Sequence, residues 1–289
     1  MNWLKIKYNK RSSKKLGWDP SWLGEDKFDS HLIDSIIQFQ INHDLKPDGL
    51  VGTNTYRRLC LKNEALQESL KDFNNLMVDG KLKPIAWHKV KRDFLPSKCY
   101  RTSRTQRKPH VIVTHWDVCT SADSCKRVLE KRNISTHFVI DNDGTIVQLV
   151  DTNNIAWHAK GANNHSIGID LSNAYYPKYA NAYRKKGLPP RPILSDSVVH
   201  GRKLKDHLGY YPAQLQAYSA LLRFLCKEYD IPYEYPKNDD GSLCTAVYQP
   251  AVKNKFRGVI NHYNLTRNKI DTAGLKLDEI IDNIKEMET

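Results

Sequence analysis

Short β-branched segments alternate with helical segments from His110 onward, and this alternation restricts the fold of the longer, C-terminal part of the chain. The segments 110–116 and 166–172 have the composition of buried strands. Between them, an Asn-Asp-Gly turn at 142–144 joins two apolar runs and predicts a hairpin. The segment 210–232 carries apolar residues at helical spacing and predicts an amphipathic helix. Strands that alternate with helices predict an α/β fold with a mixed central β-sheet flanked by helices.

The N-terminal part has a different pattern. Residues 28–61 predict two helices around a loop, with a tight turn at Asp48-Gly49 and a second turn at Gly52. We therefore expect a small all-α three-helix domain ahead of the α/β domain, with a basic, Pro-containing linker between them. The predicted bounds are 1–70 for the helical domain, 71–105 for the linker that merges into the second domain, and 106–289 for the α/β domain.

The charge of the chain is strongly basic and unevenly placed. Its 289 residues carry a formal net charge of +13, which favours polyanionic partners such as nucleic acid, an anionic membrane surface or an anionic cell-wall polymer. The excess lies in residues 1–15, a leading tail, and in residues 81–110. A nucleic-acid-binding protein would show a basic stripe with interleaved aromatic residues or a recognisable motif. Because neither is evident, we expect no nucleic-acid partner; solvated linkers that aid solubility are the other explanation of the charge.

The apolar runs and the cysteines indicate the cellular compartment in which the protein is made. No stretch approaches the roughly 18 uninterrupted apolar residues that a membrane-spanning helix requires. The first fifteen residues are basic, but the apolar segment of a secretory signal does not follow them. We therefore expect no stable membrane anchor, and synthesis in a cytoplasm, where thiols stay reduced. The six Cys form no Cys-x-x-Cys pair, which argues against a zinc module built from Cys alone.

Two of the eleven His stand where predicted strands end. His115 ends one strand and His262 ends another, with Lys269 and Asp271 following downstream. Catalytic zinc takes about three protein ligands and keeps one open position, so two His and one carboxylate would satisfy it. Strand ends also hold ligands rigidly. On spacing alone, however, a strand-end His is usually a surface residue, so both interpretations stay open at this point.

The loop between the two N-terminal helices resembles the repeat of the peptidoglycan-binding helical domains found in cell-wall hydrolases. The residues that match are Phe39, Gln40, Leu45, Asp48, Gly49, Leu50, Gly52 and Thr55, and Tyr56 lies among the apolar positions of the next helix. The resemblance implies a domain that docks the protein on bacterial peptidoglycan. Within the motif, we expect Asp48 and the glycines to shape the loop rather than to contact the polymer.

The segment 111–274 resembles the zinc-dependent N-acetylmuramoyl-L-alanine amidases, the type shared by phage lysozyme-amidases, bacterial amidases and animal peptidoglycan-recognition proteins. Several anchors of the family pattern occur in the right order. They are His115, the hairpin His137–Gly144, the run Ala156–Ala159, Asn164, the run Ser166–Asp170, His262, Lys269, Asp271 and, shifted by one position, Gly274. The resemblance implies the fold predicted above and a hydrolase that acts on peptidoglycan.

The resemblance also implies a role for each matching side chain. One Zn²⁺ would be bound by His115, His262 and Asp271, and Lys269 would face the developing oxyanion. Substrate contacts are implied for Trp157, His158, Asn164 and Thr136.

The general base is the point at which this sequence departs from the family. Many bacterial members have Glu at the position of Asp170, and phage members often have Tyr at the position of Thr136. Asp170 is one methylene shorter than Glu, and Thr cannot replace a phenol. We expect Asp170 to act as the base, directly or through a water, and a purely structural carboxylate is the alternative.

These expectations describe a monomeric enzyme that cuts the amide between N-acetylmuramic acid and the L-Ala of the stem peptide. Synthesis in a host cytoplasm and action on the cell wall or in the periplasm fit a phage endolysin. A virion-borne lysin and a bacterial autolysin are the other origins that fit. The alternative function is a non-catalytic peptidoglycan-recognition protein on the same fold, against which the complete set of implied zinc ligands speaks.

Overall fold

The structure, a computed structural model, describes residues 2–68, 74–103 and 105–288. The chain divides into two compact units, Met1–Pro84 and Ile85–Thr289. The boundary between the two units falls inside the segment 71–105, which the sequence analysis predicts as a linker that merges into the second domain. Part of it, residues 71–73 and 104, lies outside the described residues; the rest contributes strands to both units.

The first unit is mainly helical. Its helices are α1 (Asn2–Leu16), α2 (Ser30–Asn42) and α3 (Thr53–Glu68), with a 3-10 turn at Pro20–Leu23 and a hairpin of strands β1 (Asn75–Val78) and β2 (Lys81–Pro84). Residues 2–15 of the basic segment that was expected as a tail are therefore helical. Two polar side chains of α1 are buried and fix it to the loop before α3: Asn9 hydrogen bonds with Gly49 and Val51, and Ser12 with Val51.

The second unit contains the mixed sheet. Its strands are β3 (Val90–Arg92), β4 (Tyr100–Arg101), β5 (Val111–Trp116), β6 (Phe138–Ile140), β7 (Ile146–Gln148), β8 (Ile155–Ala156), β9 (Ser166–Leu171), β10 (Ile193–Leu194), β11 (Val198–Val199), β12 (Arg202–Lys203), β13 (His207–Leu208) and β14 (Gly258–Asn261). Its helices are α4 (Ala122–Arg132), α5 (Ala180–Lys185), α6 (Pro212–Tyr229), α7 (Gln249–Val252) and α8 (Leu277–Glu288). The predicted fold class, a mixed sheet flanked by helices, is confirmed.

The central sheet has the strand order β14-β5-β9-β6-β7-β3. Strands β14, β5, β9 and β6 run parallel, and β7 runs antiparallel to β6. The carboxyl ends of parallel strands meet at one edge of a sheet, where α/β folds place their ligands. This edge carries the ends of β5 and β14, and with them His115 and His262.

Strands β3 and β4 lie in the second half of the segment 71–105 and belong to the second unit. β3 pairs in parallel with β7 at the edge of the sheet, and β4 pairs with β8. Beside them, Leu95, Cys99 and Tyr100 are buried in one cluster with side chains of the hairpin β6–β7. Edge strands tolerate Lys and Arg, which also discourage pairing with other chains. Basic composition therefore does not distinguish this edge strand from a linker.

The predicted helix over 210–232 is confirmed as α6, which begins with Pro212 at its first turn. Its buried side chains include Tyr218, Leu222 and Leu225, as the helical spacing indicates. Gln214 is also buried, because its amide donates hydrogen bonds to the carbonyls of Ile140 and Ser172. Within the described part of the chain, none of the helices is long and apolar enough to cross a membrane.

Candidate active site

Two His and one Asp converge at the carboxyl edge of the parallel strands. His115 Nδ1 lies 3.0 Å from His262 Nδ1 and 3.2 Å from Asp271 Oδ2, and His262 Nδ1 lies 2.9 Å from the same oxygen. All three residues are buried. Because β14 and β5 pair in register, with Asn261 opposite Thr114, the next residue of each strand falls side by side. The topology therefore brings together two His that are far apart in sequence.

The chain after β14 returns Asp271 to the cluster. The Tyr263 N–H donates to the Asp271 carbonyl at 3.1 Å, so the loop closes on itself. Buried Asn264 anchors the start of the loop by donating to the carbonyls of Cys244 and Ala246, both at 2.9 Å. Lys269 lies on this loop, is exposed and lines the cavity in front of the cluster.

The electrostatics of the cluster suit a cation. Burial, together with the neighbouring His262, lowers the pKa of His115 to about 4, so this imidazole is neutral near pH 7. Burial alone would raise the pKa of Asp271, but the neighbouring rings of His115 and His262 hold it well below its usual range. Neutral imidazoles and an ionised carboxylate are the protonation states in which these side chains bind metals.

The donor set and its spacing fit a divalent metal ion. For bonds of about 2.0–2.1 Å, tetrahedral geometry separates ligand atoms by roughly 3.3 Å, close to the distances found here. Among the described residues, the group of His, Cys, Asp and Glu that could hold a metal is His115, His262 and Asp271. Three protein ligands leave a position open, which is typical of catalytic sites.

A hydrogen-bonded chain behind His115 fixes the orientation of its ring. His115 Nε2 lies 3.0 Å from His158 Nδ1, and His158 Nε2 lies 3.2 Å from Ser166 Oγ. The Ser166 hydroxyl donates its proton to the Ala162 carbonyl at 2.7 Å, so it can only accept from His158. His158 then donates from Nε2 and accepts at Nδ1, and His115 donates from Nε2. This tautomer leaves the Nδ1 lone pair of His115 directed at the metal position.

Gly168 makes this arrangement possible. A Cβ atom at this position would lie 2.7 Å from His158 Cγ and Nδ1 and 2.8 Å from Thr136 Oγ1, closer than real Cβ contacts allow. Ser166, Gly168 and Asp170 share one face of β9, since side chains alternate along a strand. The Ser-x-Gly-x-Asp pattern thus places an acceptor, a space for the His158 ring and a carboxylate in one row.

Loss of the Ser166 hydroxyl should weaken metal binding. In Ser166→Ala the His158 Nε2–H loses its acceptor, so the tautomer that directs the His115 lone pair is no longer enforced. We expect an affinity loss of about 10-fold or more, at the lower end of what outer-shell partners contribute. Competition with a chelator of known affinity measures this. Ser172→Ala, which removes another buried hydroxyl just beyond β9, is the control. An unchanged metal affinity in Ser166→Ala would contradict the proposed role of these hydrogen bonds in orienting His115.

Asp170 lies beside the cluster. It is the register partner of His115 in the pairing of β5 with β9, it is buried, and it lines the cavity. Burial raises its pKa well above the usual range, and the negative charges of Asp117 and Asp271 act in the same direction. The Cys125 thiol donates to its Oδ2 at 3.9 Å. A carboxylate in this position can accept a proton from a group in the cavity.

The cavity in front of the cluster has a volume of about 780 Å³. Trp157 forms part of its wall and is 37% exposed. His158 also lines the cavity, although both of its ring nitrogens are engaged with His115 and Ser166. A space of this size accommodates a sugar ring with the first residues of a peptide.

The structure does not bring Thr136 and Asn164 to the cavity. Thr136 is buried beside Gly168, and Asn164 is held by Arg101 through its side-chain oxygen. The neighbouring Asn163 instead stabilises the site, because its side-chain oxygen accepts from the backbone N–H groups of His158 and Ala159. Neither Ser166 nor Asn163 is among the site residues that the sequence predicts. The alternation of β9 could have placed Ser166 on the face of Asp170, whereas no pattern distinguishes Asn163 from Asn164.

The peptidoglycan-binding-like motif of the first unit forms a closed hydrogen-bonded loop. The buried Gln40 amide donates to the Asp48 side chain, the Leu50 carbonyl and the Thr55 hydroxyl, and its oxygen accepts from the Gly49 N–H at 2.9 Å. Gly49 has φ +70, and a Cβ there would lie 2.9 Å from the Ile33 side chain. Phe39 and Tyr56 of the motif are buried, and Gly52 precedes α3. In the structure these motif residues shape the loop and the core of the unit.

A mixed α/β fold with a His, His and Asp cluster at the carboxyl edge of its parallel strands, open to a cavity, defines a candidate metal-dependent hydrolase. A comparison with protein families matches residues 105–273, more than half of the chain, to N-acetylmuramoyl-L-alanine amidase. The chain belongs to this family and is an enzyme of that class, as the sequence analysis predicts.

Solved structures with a related fold have low identity to this chain. The N-acetylmuramoyl-L-alanine amidase LysC from Clostridium intestinale is 17% identical, with a TM-score of 0.42, over 69% of this chain and 99% of that one. A selenomethionine AmpD derivative is 18% identical, with a TM-score of 0.39, over 68% and 96%. AmiD from E. coli, in complex with anhydro-N-acetylmuramic acid-L-Ala-D-γ-Glu-L-Lys, is 19% identical, with a TM-score of 0.39, over 64% and 60%. No curated protein matches the chain.

Proposed function

We propose that the protein is a zinc-dependent peptidoglycan hydrolase that cleaves the amide between N-acetylmuramic acid and the L-Ala of the stem peptide. The observation that carries this proposal is the convergence of His115, His262 and Asp271 within hydrogen-bonding distance of one another at a cavity. Two imidazoles and one carboxylate are ligands that suit zinc, and three of them leave a coordination position open.

Each residue around the cluster would have a separate role in amide hydrolysis. When bound, a zinc ion would polarise the scissile carbonyl and lower the pKa of an attacking water. The Lys269 ammonium would face the negative charge that develops on the carbonyl oxygen. The Asp170 carboxylate would accept a proton from the attacking water and return it to the leaving amine. Trp157 would hold the substrate against the cavity wall, while His158 orients His115.

The first unit would concentrate the enzyme on the cell wall. Its Gln40–Asp48 loop resembles a peptidoglycan-binding repeat in sequence, and its helix α1 carries six basic side chains and no acidic one. A docking unit joined to a wall-cutting unit suits an endolysin of phage origin, which acts on the wall from the host side. We propose this role, with a monomeric enzyme that is made in the host cytoplasm.

Product analysis tests the activity directly. Purified protein incubated with peptidoglycan should release new amino termini of L-Ala, because the amide nitrogen belongs to that residue. Chelation should abolish the release, and added zinc should restore it. New reducing sugar ends would mean that the glycan is cut instead, and wall binding without either product would indicate a recognition protein. Either result would contradict the proposal.

A further inference from the structure

We propose that an aromatic platform on the segment 174–212, between β9 and α6, binds the glycan strand of peptidoglycan beside the amide that is cut. The platform consists of Tyr175, Tyr176 and Tyr179, with Lys178 between the last two rings. This inference rests on the proposed function, since it names a further subsite for the same polymer.

The platform continues the wall of the catalytic cavity. Trp116 follows His115 at the end of β5 and lines the cavity. Its ring centroid lies 4.8 Å from that of Tyr175, which lies 4.9 Å from Tyr176, and Tyr176 lies 6.4 Å from Tyr179. A row of rings therefore leads from the cavity to the surface. Tyr176 is 49% exposed and Tyr179 is 38% exposed.

The segment that carries the platform is attached to the rim of the cavity on both sides of the rings. The Tyr183 hydroxyl accepts from the Ala174 N–H at 2.9 Å and donates to the carbonyl of Cys119, a residue of the cavity lining. The buried Arg191 guanidinium lies over the Tyr183 ring at 4.8 Å. Lys186 donates to the Thr120 carbonyl at 3.3 Å. Rings that are fixed before the ligand arrives lose little conformational entropy when it binds.

The segment that carries the platform has basic side chains and no acidic one. The Lys178 ammonium lies 5.3 Å from the Tyr176 ring centroid and 5.2 Å from that of Tyr179. Residues 174–195 contain no Asp or Glu, and Arg184 and Lys185 of α5 are exposed. Stem peptides carry carboxylates, so neighbouring peptides on the same strand would find cations beside the rings.

A glycan strand suits this surface for chemical reasons. Pyranose rings have an apolar face of C–H groups and a rim of hydroxyls, and such faces stack on exposed aromatic rings, while phenolic hydroxyls remain available for hydrogen bonds. Peptidoglycan is a polymer, so the strand must continue over the protein surface beyond the muramic acid whose amide enters the cavity. Of the surfaces beside the cavity, the platform combines exposed rings, cations and a direct connection through Trp116.

Kinetics on two substrates distinguish the contribution of this subsite from that of the catalytic centre. The double variant Tyr176→Ala/Tyr179→Ala and wild type are compared on soluble, uncrosslinked glycan strands with stem peptides and on a monomeric muramoyl-peptide. We expect KM for the strands to rise about 5- to 10-fold, the scale of one or two lost ring contacts, and kcat/KM for the monomer to stay unchanged. The Tyr176→Phe/Tyr179→Phe variant retains the stacking faces and should retain most of the affinity. Equal losses on both substrates, or none on the strands, would overturn the proposal.

Binding measured without turnover keeps this test independent of catalysis. Glycan strands stripped of their peptides should bind wild type in calorimetry and inhibit hydrolysis of the monomer, and both effects should be lost in the double Ala variant. Anionic vesicles serve as a second probe; loss of vesicle binding with no loss of glycan binding would assign the platform to lipid and overturn the proposal. If wild type cleaves neither substrate, the proposed activity fails, while glycan binding still decides whether the platform exists.

Discussion

Asp271→Asn should abolish metal binding and peptidoglycan hydrolysis together. The carboxylate supplies the one negative charge among the three converging ligands, and Asp271 Oδ2 lies within 3.2 Å of both imidazole nitrogens. Asn has the same shape but no charge, so the unit should fold while the site loses its main attraction for a cation. We expect zinc affinity to fall at least 100-fold. We expect kcat/KM to fall by on the order of 10³-fold or more, since a catalytic metal supplies several kcal/mol of transition-state stabilisation.

Measurements of zinc content and of the thermal unfolding temperature test this prediction. A ligand that binds only the folded state raises its stability, by about 2.7 kcal/mol when present at 100 times its dissociation constant. Wild type should therefore unfold at a higher temperature with zinc than with chelator, and Asp271→Asn should show the same temperature in both. His88→Ala removes an exposed His outside the cluster and should behave as wild type. Full zinc content in Asp271→Asn would place the metal elsewhere.

The parts of the fold and site that follow from periodicity are the parts that the sequence predicts well. His115 and His262 end apolar runs, and parallel pairing brings such ends to one edge without any knowledge of side-chain contacts. The return of Asp271 depends instead on a loop fixed by buried amides such as Asn264. Such contacts have no period, and only the family resemblance indicated that Asp271 lies near the two His.

Other features escaped prediction because they depend on contacts between segments far apart in sequence. Strand β3 has only three residues, two of them basic, and it becomes a strand only by pairing with β7. The His158 ring reaches His115 because Gly168 leaves space for it. Thr136, expected at the substrate, is buried beside that same Gly168. The sequence identifies these residue types but not the neighbours that determine what they do.

Asp170→Asn should lower kcat/KM by about 10²- to 10⁴-fold, the usual contribution of a general base, without loss of zinc. Asp170 lines the cavity as the register partner of His115, so it lies close to the position where water must attack. Asn matches its size but cannot accept the proton. Asp170→Glu keeps the carboxylate and restores the side chain that many family members have, so we expect it to retain activity.

The structural alternative for Asp170 predicts a different set of results. In this alternative the Asp170 carboxylate only accepts the hydrogen bond of the Cys125 thiol, which donates to Oδ2 at 3.9 Å, and so stabilises the fold around it. Cys125→Ala should then reduce activity as strongly as Asp170→Asn, and both variants should lower the melting temperature. If Asp170 is the base, Cys125→Ala retains most of the activity, because the proton acceptor is still in place. Full activity and full zinc content in Asp170→Asn would exclude the base role, since an amide at this position has no means of accepting the proton from water.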